Sequence, residues 1–502
     1  LSRTESFDGL NADQIVLGMI AFPETYADIP LIKIANHAQL KKILNTSDRM
    51  VTYNRFFNPN YVLEKEVTEA YNRDPKDRTT YDKDLIKLDE KVNICNLIFS
   101  GRLMQWFPVP GDKNNTWISP NDPHTNETNS KSSLVGNEFY SPLILSLRNG
   151  VEHVDWNEAL QKIKAIQTYQ SQNGQSILLS PSKVKGEIFL NKLNIFSKAV
   201  GWYALLGLGL LILFFISIFN STNRLKWPIV ILKSGVYLVF LFHTIGLGVR
   251  WYVSGRAPWS NGYESMIYIG WTTLLAGLVF SRKSMGGLAA TSVLSATILM
   301  VAAMSWLDPE ITPLVPVLKS YWLTIHVSME AGSYGFLVLG SIIGVLNLLF
   351  MIFANEKNKD NVYRMIKELS YVSEMTLIGG LVMISIGTYL GGVWANESWG
   401  RYWGWDAKET WALVTILVYS FILHMRFIPG LRGFYAFNVA TLFGWASVMM
   451  TYFGVNYYLS GLHSYAAGDP VPVPPFIYYS VITLVIISLL ALWRHRWYLK
   501  TQ

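Results

Sequence analysis

From Trp202 onward this chain is a succession of long apolar runs separated by short polar connections. A hydrocarbon core of roughly 30 Å is crossed by about 20 apolar residues in helical form, and lipid offers the backbone no hydrogen-bond partner, so each spanning run must be a helix. The runs cover residues 202–219, 229–249, 263–280, 287–306, 330–353, 375–394, 411–427, 434–459 and 476–493. Folding them in water would require nine long buried helices with almost no polar face. The expected class is therefore a polytopic α-helical membrane protein of about nine transmembrane helices. A mixed α/β extracytoplasmic domain at the N-terminus completes the expectation.

The net charge of +7 invites a nucleic-acid partner, but its placement argues against one. Lys and Arg gather on alternate connections: Arg224 and Lys226, Arg282 and Lys283, then Lys357, Lys359, Arg364 and Lys367. Arg426 and Arg432 continue the alternation, and Arg494, Arg496 and Lys500 close it. By the positive-inside rule these loops and the C-terminus face the cytoplasm. Residues 1–198 then lie on the outer, periplasmic face of a bacterial cytoplasmic membrane. The chain opens on Leu-Ser-Arg without an initiator Met or signal peptide, so upstream membrane spans are expected to translocate that domain.

Within residues 1–198, segments 31–44 and 157–170 have the apolar spacing of amphipathic helices. Segment 112–133, rich in Asn, Asp, Pro, Thr and Ser, reads as a loop, and 176–179 and 138–147 read as candidate strands. His37, His124 and His153 are scattered and read as ordinary surface residues. The single cysteine, Cys95, excludes an intrachain disulfide, a Cys-x-x-Cys redox pair and a cysteine zinc site. The chain also lacks Cys-x-x-Cys-His, so it is not itself a c-type cytochrome.

The densest chemical signal lies at 394–411, on the outer side by the charge argument. Trp394, Trp399, Trp403, Trp405 and Trp411 fall within 18 positions, interleaved with Gly404, Asp406, Lys408 and Glu409. Interfacial depth alone enriches tryptophan, and that accounts for one or two of the five. The rest suggest a rigid, flat aromatic platform with glycine-permitted turns, suited to a large planar apolar ligand with polar edges, such as a porphyrin. His326 precedes this loop and His463 follows it, both on the same side. Two neutral imidazoles on opposite faces of a porphyrin would be its axial ligands. Two more histidines lie within the membrane, where ionisable groups are costly. His424, near Arg426 and the cytoplasmic face, is the better ligand candidate, whereas His243 reads either as a hydrogen-bonding partner of a neighbouring helix or as a haem ligand.

The run Trp399-Gly-x-x-Trp403-x-Trp405-Asp406-x-Lys408-Glu409 resembles the WWD signature of the haem-handling protein family. It is most similar to system II cytochrome c synthases of the CcsA (ResC) type. His326 and His463 match that family's two external histidines, and His424 matches its intramembrane histidine. The segment from His243 to Arg250 and that from Pro258 through Asn261 and Glu264 are also similar to this family. Residues 226–502 resemble its haem-handling membrane domain. Residues 1–198 resemble the external domain of the CcsB (ResB) partner, and 199–225 its last span and cytoplasmic loop. The whole resembles the C-terminal portion of a fused CcsB–CcsA protein.

The resemblance implies a haem lyase that moves haem b across the membrane and attaches it through thioethers to Cys-x-x-Cys-His of apocytochrome c. His326, His463 and His424 would ligate haem iron. The tryptophans, with Asp406, would hold the ring for catalysis. The expected partners are haem, apocytochrome c, a second intramembrane histidine from upstream CcsB-like spans, and a thioredoxin-like thiol reductant. Arg250, Arg256, Arg401 and Lys408 could meet the propionates or merely line a charged rim. Competing readings are a haem-handling permease without ligation activity, a substrate transporter gated by the tryptophan loop, and a non-catalytic haem exporter.

Overall fold

A computed structural model describes residues 6–73, 78–112, 116–120, 134–174, 177–219, 225–304, 307, 309–312, 319–356, 358–459, 473 and 475–500. The chain divides into two compact units, Leu1–Ser180 and Pro181–Gln502.

The first unit is largely helical. Its main helices are Ala12–Ala21, Thr80–Phe99, Ser141–His153 and Asn157–Asn173, the last close to its expected extent. Strand content among the described residues is limited to three antiparallel two-residue ribbons, pairing Ser6–Phe7 with Leu10–Asn11, Ile32–Lys33 with Met50–Val51, and Phe107–Pro108 with Trp117–Ile118. Four expected segments differ here. Segment 31–44 is not one helix: Ile32 and Ile34 are buried on either side of exposed Lys33, a period of two, and only Ala38–Ile43 is helical. Segment 138–147 is helical, because Leu143, Ser146, Leu147 and Gly150 recur on one buried face. Ile177–Leu179 forms no strand, and the expected loop at 112–133, mostly outside the described residues, contains the Trp117–Ile118 strand. His37, expected as a surface residue, is part-exposed with Nε2 2.9 Å from the Asp84 carboxylate.

In the second unit each of the nine apolar runs lies on a helix, after a shorter helix Pro181–Leu193. They are α1 (Ile195–Phe219), α2 (Lys226–Ser254), α3 (Gly262–Phe280), α4 (Met285–Ala302) and α5 (Tyr321–Phe353). The remainder are α6 (Lys359–Trp399), α7 (Ala407–His424), α8 (Phe434–Met449) and α9 (Pro475–Lys500). Among the described residues seven helices are long and apolar enough to cross a membrane, consistent with a multi-pass membrane protein. The two that fall short are α3, which carries Glu264, Thr272 and Thr273, and α8, only 16 residues before a π-turn over Met450–Gly454.

α5 is the hub. In its most apolar stretch 72% of residues are buried, against 11% for α9, which turns most of its surface outward. Between helices in lipid, close approach and polar contacts replace the hydrophobic drive. At Gly335 a Cβ would stand 2.6 Å from the Thr273 backbone nitrogen, and at Gly344 it would stand 2.7 Å from the Asn438 carbonyl. Only glycine admits those neighbours. Asn347 Nδ2 on α5 donates to Asn438 Oδ1 on α8 (2.8 Å) and to Ser370 Oγ on α6 (3.1 Å), which ties three helices at one buried node.

Candidate functional site

α5 carries His326, Glu330 and Tyr334 at successive four-residue intervals, so their side chains share one face. That face lines a cavity of about 570 Å³. The opposite walls come from α6 through Thr388, Gly391 and Trp394, from Trp403 in the following loop, and from Lys408 on α7. Tyr452 and Asn456 enter from the π-turn and the helical turn after it.

Two neighbouring residues of α6 hold two residues of α5. His326 Nδ1 lies 2.7 Å from the Gly387 carbonyl, and the Thr388 hydroxyl donates to Glu330 Oε1 at 2.9 Å. A carbonyl accepts only, so Nδ1 carries the proton and the ring's lone pair is placed on Nε2. Gly391 makes room for that ring, since a Cβ there would stand 2.6 Å from His326 Cε1.

The tryptophan segment is less of a loop than expected. α6 runs to Trp399 and α7 starts at Ala407, leaving a short turn between them. Gly400 ends α6 at φ +71°, and Trp405 holds φ +56°, a left-handed backbone that costs a bulky residue energy. Asp406 then caps α7: Oδ1 accepts from the backbone N–H of Lys408 (2.8 Å), and Glu409 Oε2 accepts from Gly404 N–H (2.7 Å) and Asp406 N–H (3.3 Å). This capping box satisfies N-terminal donors of the helix and fixes the exit of the turn.

The indoles do not form one flat surface. Trp394, 1% exposed, meets Trp399 at 64° with centroids 4.8 Å apart, and Trp403 meets Trp405 edge-on at 89°. Trp394 and Trp403 line the cavity, whereas Trp405 is 71% exposed. The Trp411 carbonyl accepts from Thr451 Oγ1 (3.1 Å), which joins α7 to the π-turn. Edge-to-face contact is the favoured geometry for packed aromatic rings, and it yields a walled cleft rather than a platform.

Of the four histidines singled out, the structure brings only His326 to this cavity among the described residues. His463 lies outside them. His424 ends α7 with an exposed ring, Nδ1 2.7 Å from the Ser420 carbonyl, about 25 Å along the helix from Ala407. His243 is buried, with Nδ1 3.4 Å from the Tyr203 hydroxyl on α1, the inter-helix contact expected for it.

The four candidate cations also separate. Arg250 and Arg256 both grip Glu264 (2.9 and 2.7 Å) and donate to the carbonyls of Pro309, Glu310 and Thr312. Arg401 stands 3.8 Å from Glu409 and over the Trp399 ring. Lys408 lines the cavity, and its Nζ donates to Asn456 Oδ1 at 3.0 Å. Glu330 and Thr388 escaped the sequence reading. The four-residue spacing of His326 and Glu330 was visible, but nothing local indicated that α6 would face them.

With this geometry in view, residues 259–463, which contain both the cavity wall and the tryptophan turn, match the family model described as cytochrome C assembly protein. A cytochrome c biogenesis protein CcsA of Guillardia theta is 36% identical over 244 residues, 81% of its own length and 44% of this chain. The chain belongs to the CcsA family of cytochrome c biogenesis proteins. A second CcsA, from Olimarabidopsis pumila, is 32% identical over 299 residues, 88% of its length and 50% of this chain. Outside the CcsA-like region the likeness continues: protein NrfI of Wolinella succinogenes is 39% identical over 482 residues, 94% of this chain. The chain spans about half (52%) of NrfI's length.

Proposed function

We propose that this CcsA-family chain holds haem in the α5–α6–α7 cavity on the outer face of the membrane and attaches it to apocytochrome c. The observation that carries the reading is the joint lining of one cavity by His326, Trp394, Trp403 and Lys408. Its volume of about 570 Å³ lies within the range of cofactor sites, and its aromatic walls alternate with polar groups such as His326, Glu330, Lys408 and Glu409. The Gly387 carbonyl orients the His326 ring as the outer partner of a metal-ligating histidine does. His463 is proposed as the opposite axial ligand, and His424 as one ligand of an inner station nearer the cytoplasm, its partner histidine coming from CcsB-like spans of a fused CcsB–CcsA assembly.

In this reading the tryptophans of the WWD motif wall the ring and shield it from water. The apocytochrome supplies Cys-x-x-Cys-His, and its histidine displaces one axial ligand. Each thiol then adds across a haem vinyl, sulfur to one carbon and hydrogen to the other, with no leaving group. The protein contributes position rather than a nucleophile. A thioredoxin-like partner keeps the substrate thiols reduced.

The test is an absorption spectrum of the purified protein together with co-expression of an apocytochrome. Bis-histidine bands should weaken in His326→Ala and in His463→Ala and return with added imidazole. Covalent haem should form only with the wild-type chain. Bands that survive the double substitution would sink the axial assignment. Haem retention without any covalent product would favour a handling permease.

A further inference from the structure

We propose that Trp405 docks the incoming chain of the apocytochrome and leaves the haem to the indoles behind it; this rests on the haem reading above. Among the described residues, Trp403, Lys408 and Glu409 line the cavity, and Trp405, between them in sequence, does not. Its ring is 71% exposed and meets Trp403 edge-on, with centroids 5.7 Å apart. Trp405 thus stands one ring outside the indole that faces the cavity.

The backbone explains how the indole is put there. Glu409 Oε2 accepts from both Gly404 N–H (2.7 Å) and Asp406 N–H (3.3 Å), so one carboxylate pinches the chain on either side of residue 405. Asp406 caps the helix that carries Glu409, which fixes the carboxylate in turn. Residue 405 is left in the left-handed region at φ +56°, where glycine would sit without strain. Such strain persists only where surrounding bonds over-determine it, and it gathers at ligand clamps and other functional sites. A membrane interface also attracts indoles, but it accepts them on ordinary backbone and does not account for a pinched turn.

The proposed reaction brings a peptide to this point. Substrate thiols reach a ring in the cavity only if the Cys-x-x-Cys-His segment crosses the cavity mouth. Tyr402 lines the cavity and is still 64% exposed, so the tryptophan turn forms part of that mouth. An exposed indole offers a broad amphipathic surface with only two side-chain torsions to freeze, which is why tryptophan is enriched among binding hot spots. Trp405 would stack on the histidine and apolar side chains of an extended peptide while Trp403 faces the ring.

The experiment uses the purified full chain and two probes: haem, read by Soret titration, and a dye-labelled Ser-x-x-Ser-His peptide, read by fluorescence anisotropy. Serine in place of both cysteines reports docking without ligation. Trp405→Gly removes the indole and keeps the turn, since glycine takes the left-handed backbone freely. It should weaken the peptide about tenfold or more, the scale of a tryptophan hot spot, and leave haem affinity unchanged. Trp403→Ala should lose haem instead. An unchanged peptide affinity in Trp405→Gly makes Trp405 an interfacial anchor and overturns the docking role. A haem loss in Trp405→Gly equal to that in Trp403→Ala places the indole on the ring and also overturns it. Wild type that binds haem but no peptide overturns the docking role and leaves the haem reading standing, whereas binding of neither overturns both. If Trp405→Gly fails to fold, Trp405→Asn, which tolerates the same backbone, decides by the same two titrations.

Discussion

Asp406 offers a test of how the tryptophan turn is held, because a capping role ranks Asn above Ala as its replacement and a purely charged role ranks them equal. In the structure its carboxylate acts as an N-cap, accepting from Lys408 N–H at 2.8 Å and Glu409 N–H at 3.4 Å. An N-cap Asp replaced by Ala costs about 1 kcal/mol, within a range of about 0.5–2, whereas Asn caps as well as Asp. Asn forfeits only the charge–dipole attraction at the helix start, about 0.3–1 kcal/mol. Asp406→Ala should therefore open the turn about fivefold more often, and Asp406→Asn about twofold. Amide hydrogen exchange across residues 404–410 of the detergent-purified chain reads this directly. Haem affinity should follow in the same order, since Trp403 lines the cavity three residues before the cap. If Asp406→Asn loses as much protection as Asp406→Ala, the charge matters and the capping argument is wrong. If Asp406→Ala loses none, the cap contributes nothing to the turn.

Gly391→Ala should weaken haem binding about tenfold, because its Cβ meets the His326 ring at 2.6 Å and overpacking costs about 1–3 kcal/mol. Gly248→Ala, with nothing within 4 Å, should leave binding unchanged, and equal effects of the two would refute the steric account. In the first unit, hydrogen bonds from Thr79, assisted by Arg73, hold the Asp82 carboxyl below its usual range. Its stabilisation is thus present above the ordinary carboxylate pKa of about 4 and is lost as pH falls through the lower native value. Exchange in helix Thr80–Phe99 should be faster in Asp82→Asn than in wild type at pH 7, and the gap should close at acid pH; a gap of constant size would contradict the linkage.

The parts of this protein legible in its sequence are those governed by a one-dimensional rule. Lipid forbids unpaired backbone, so each apolar run lies on a helix. The first unit has no such rule. Short segments with ambiguous periodicity were decided by what they packed against, so Ile32–Lys33 became a strand beside Met50–Val51 and the expected strand at 138–147 became helical.

At the site the same division holds. Residue type and order already marked His326 and the tryptophans as a ligand-binding set, since indoles at that density exceed what an interface requires. Their arrangement was not legible: a flat platform was expected, and the rings meet edge-on around a walled cleft. Trp405 adopts a left-handed backbone that no local preference of tryptophan favours. The contacts that shape the cavity join residues 61 positions apart at His326 and Gly387, and 58 apart at Glu330 and Thr388. Sequence alone determined that the chain is helical in a membrane and which residue types gather near one end of α6 and α7, because solvent and covalent spacing decide those. Only the tertiary structure decided which side chains share a wall, because that follows from how α5 and α6 approach through their glycines.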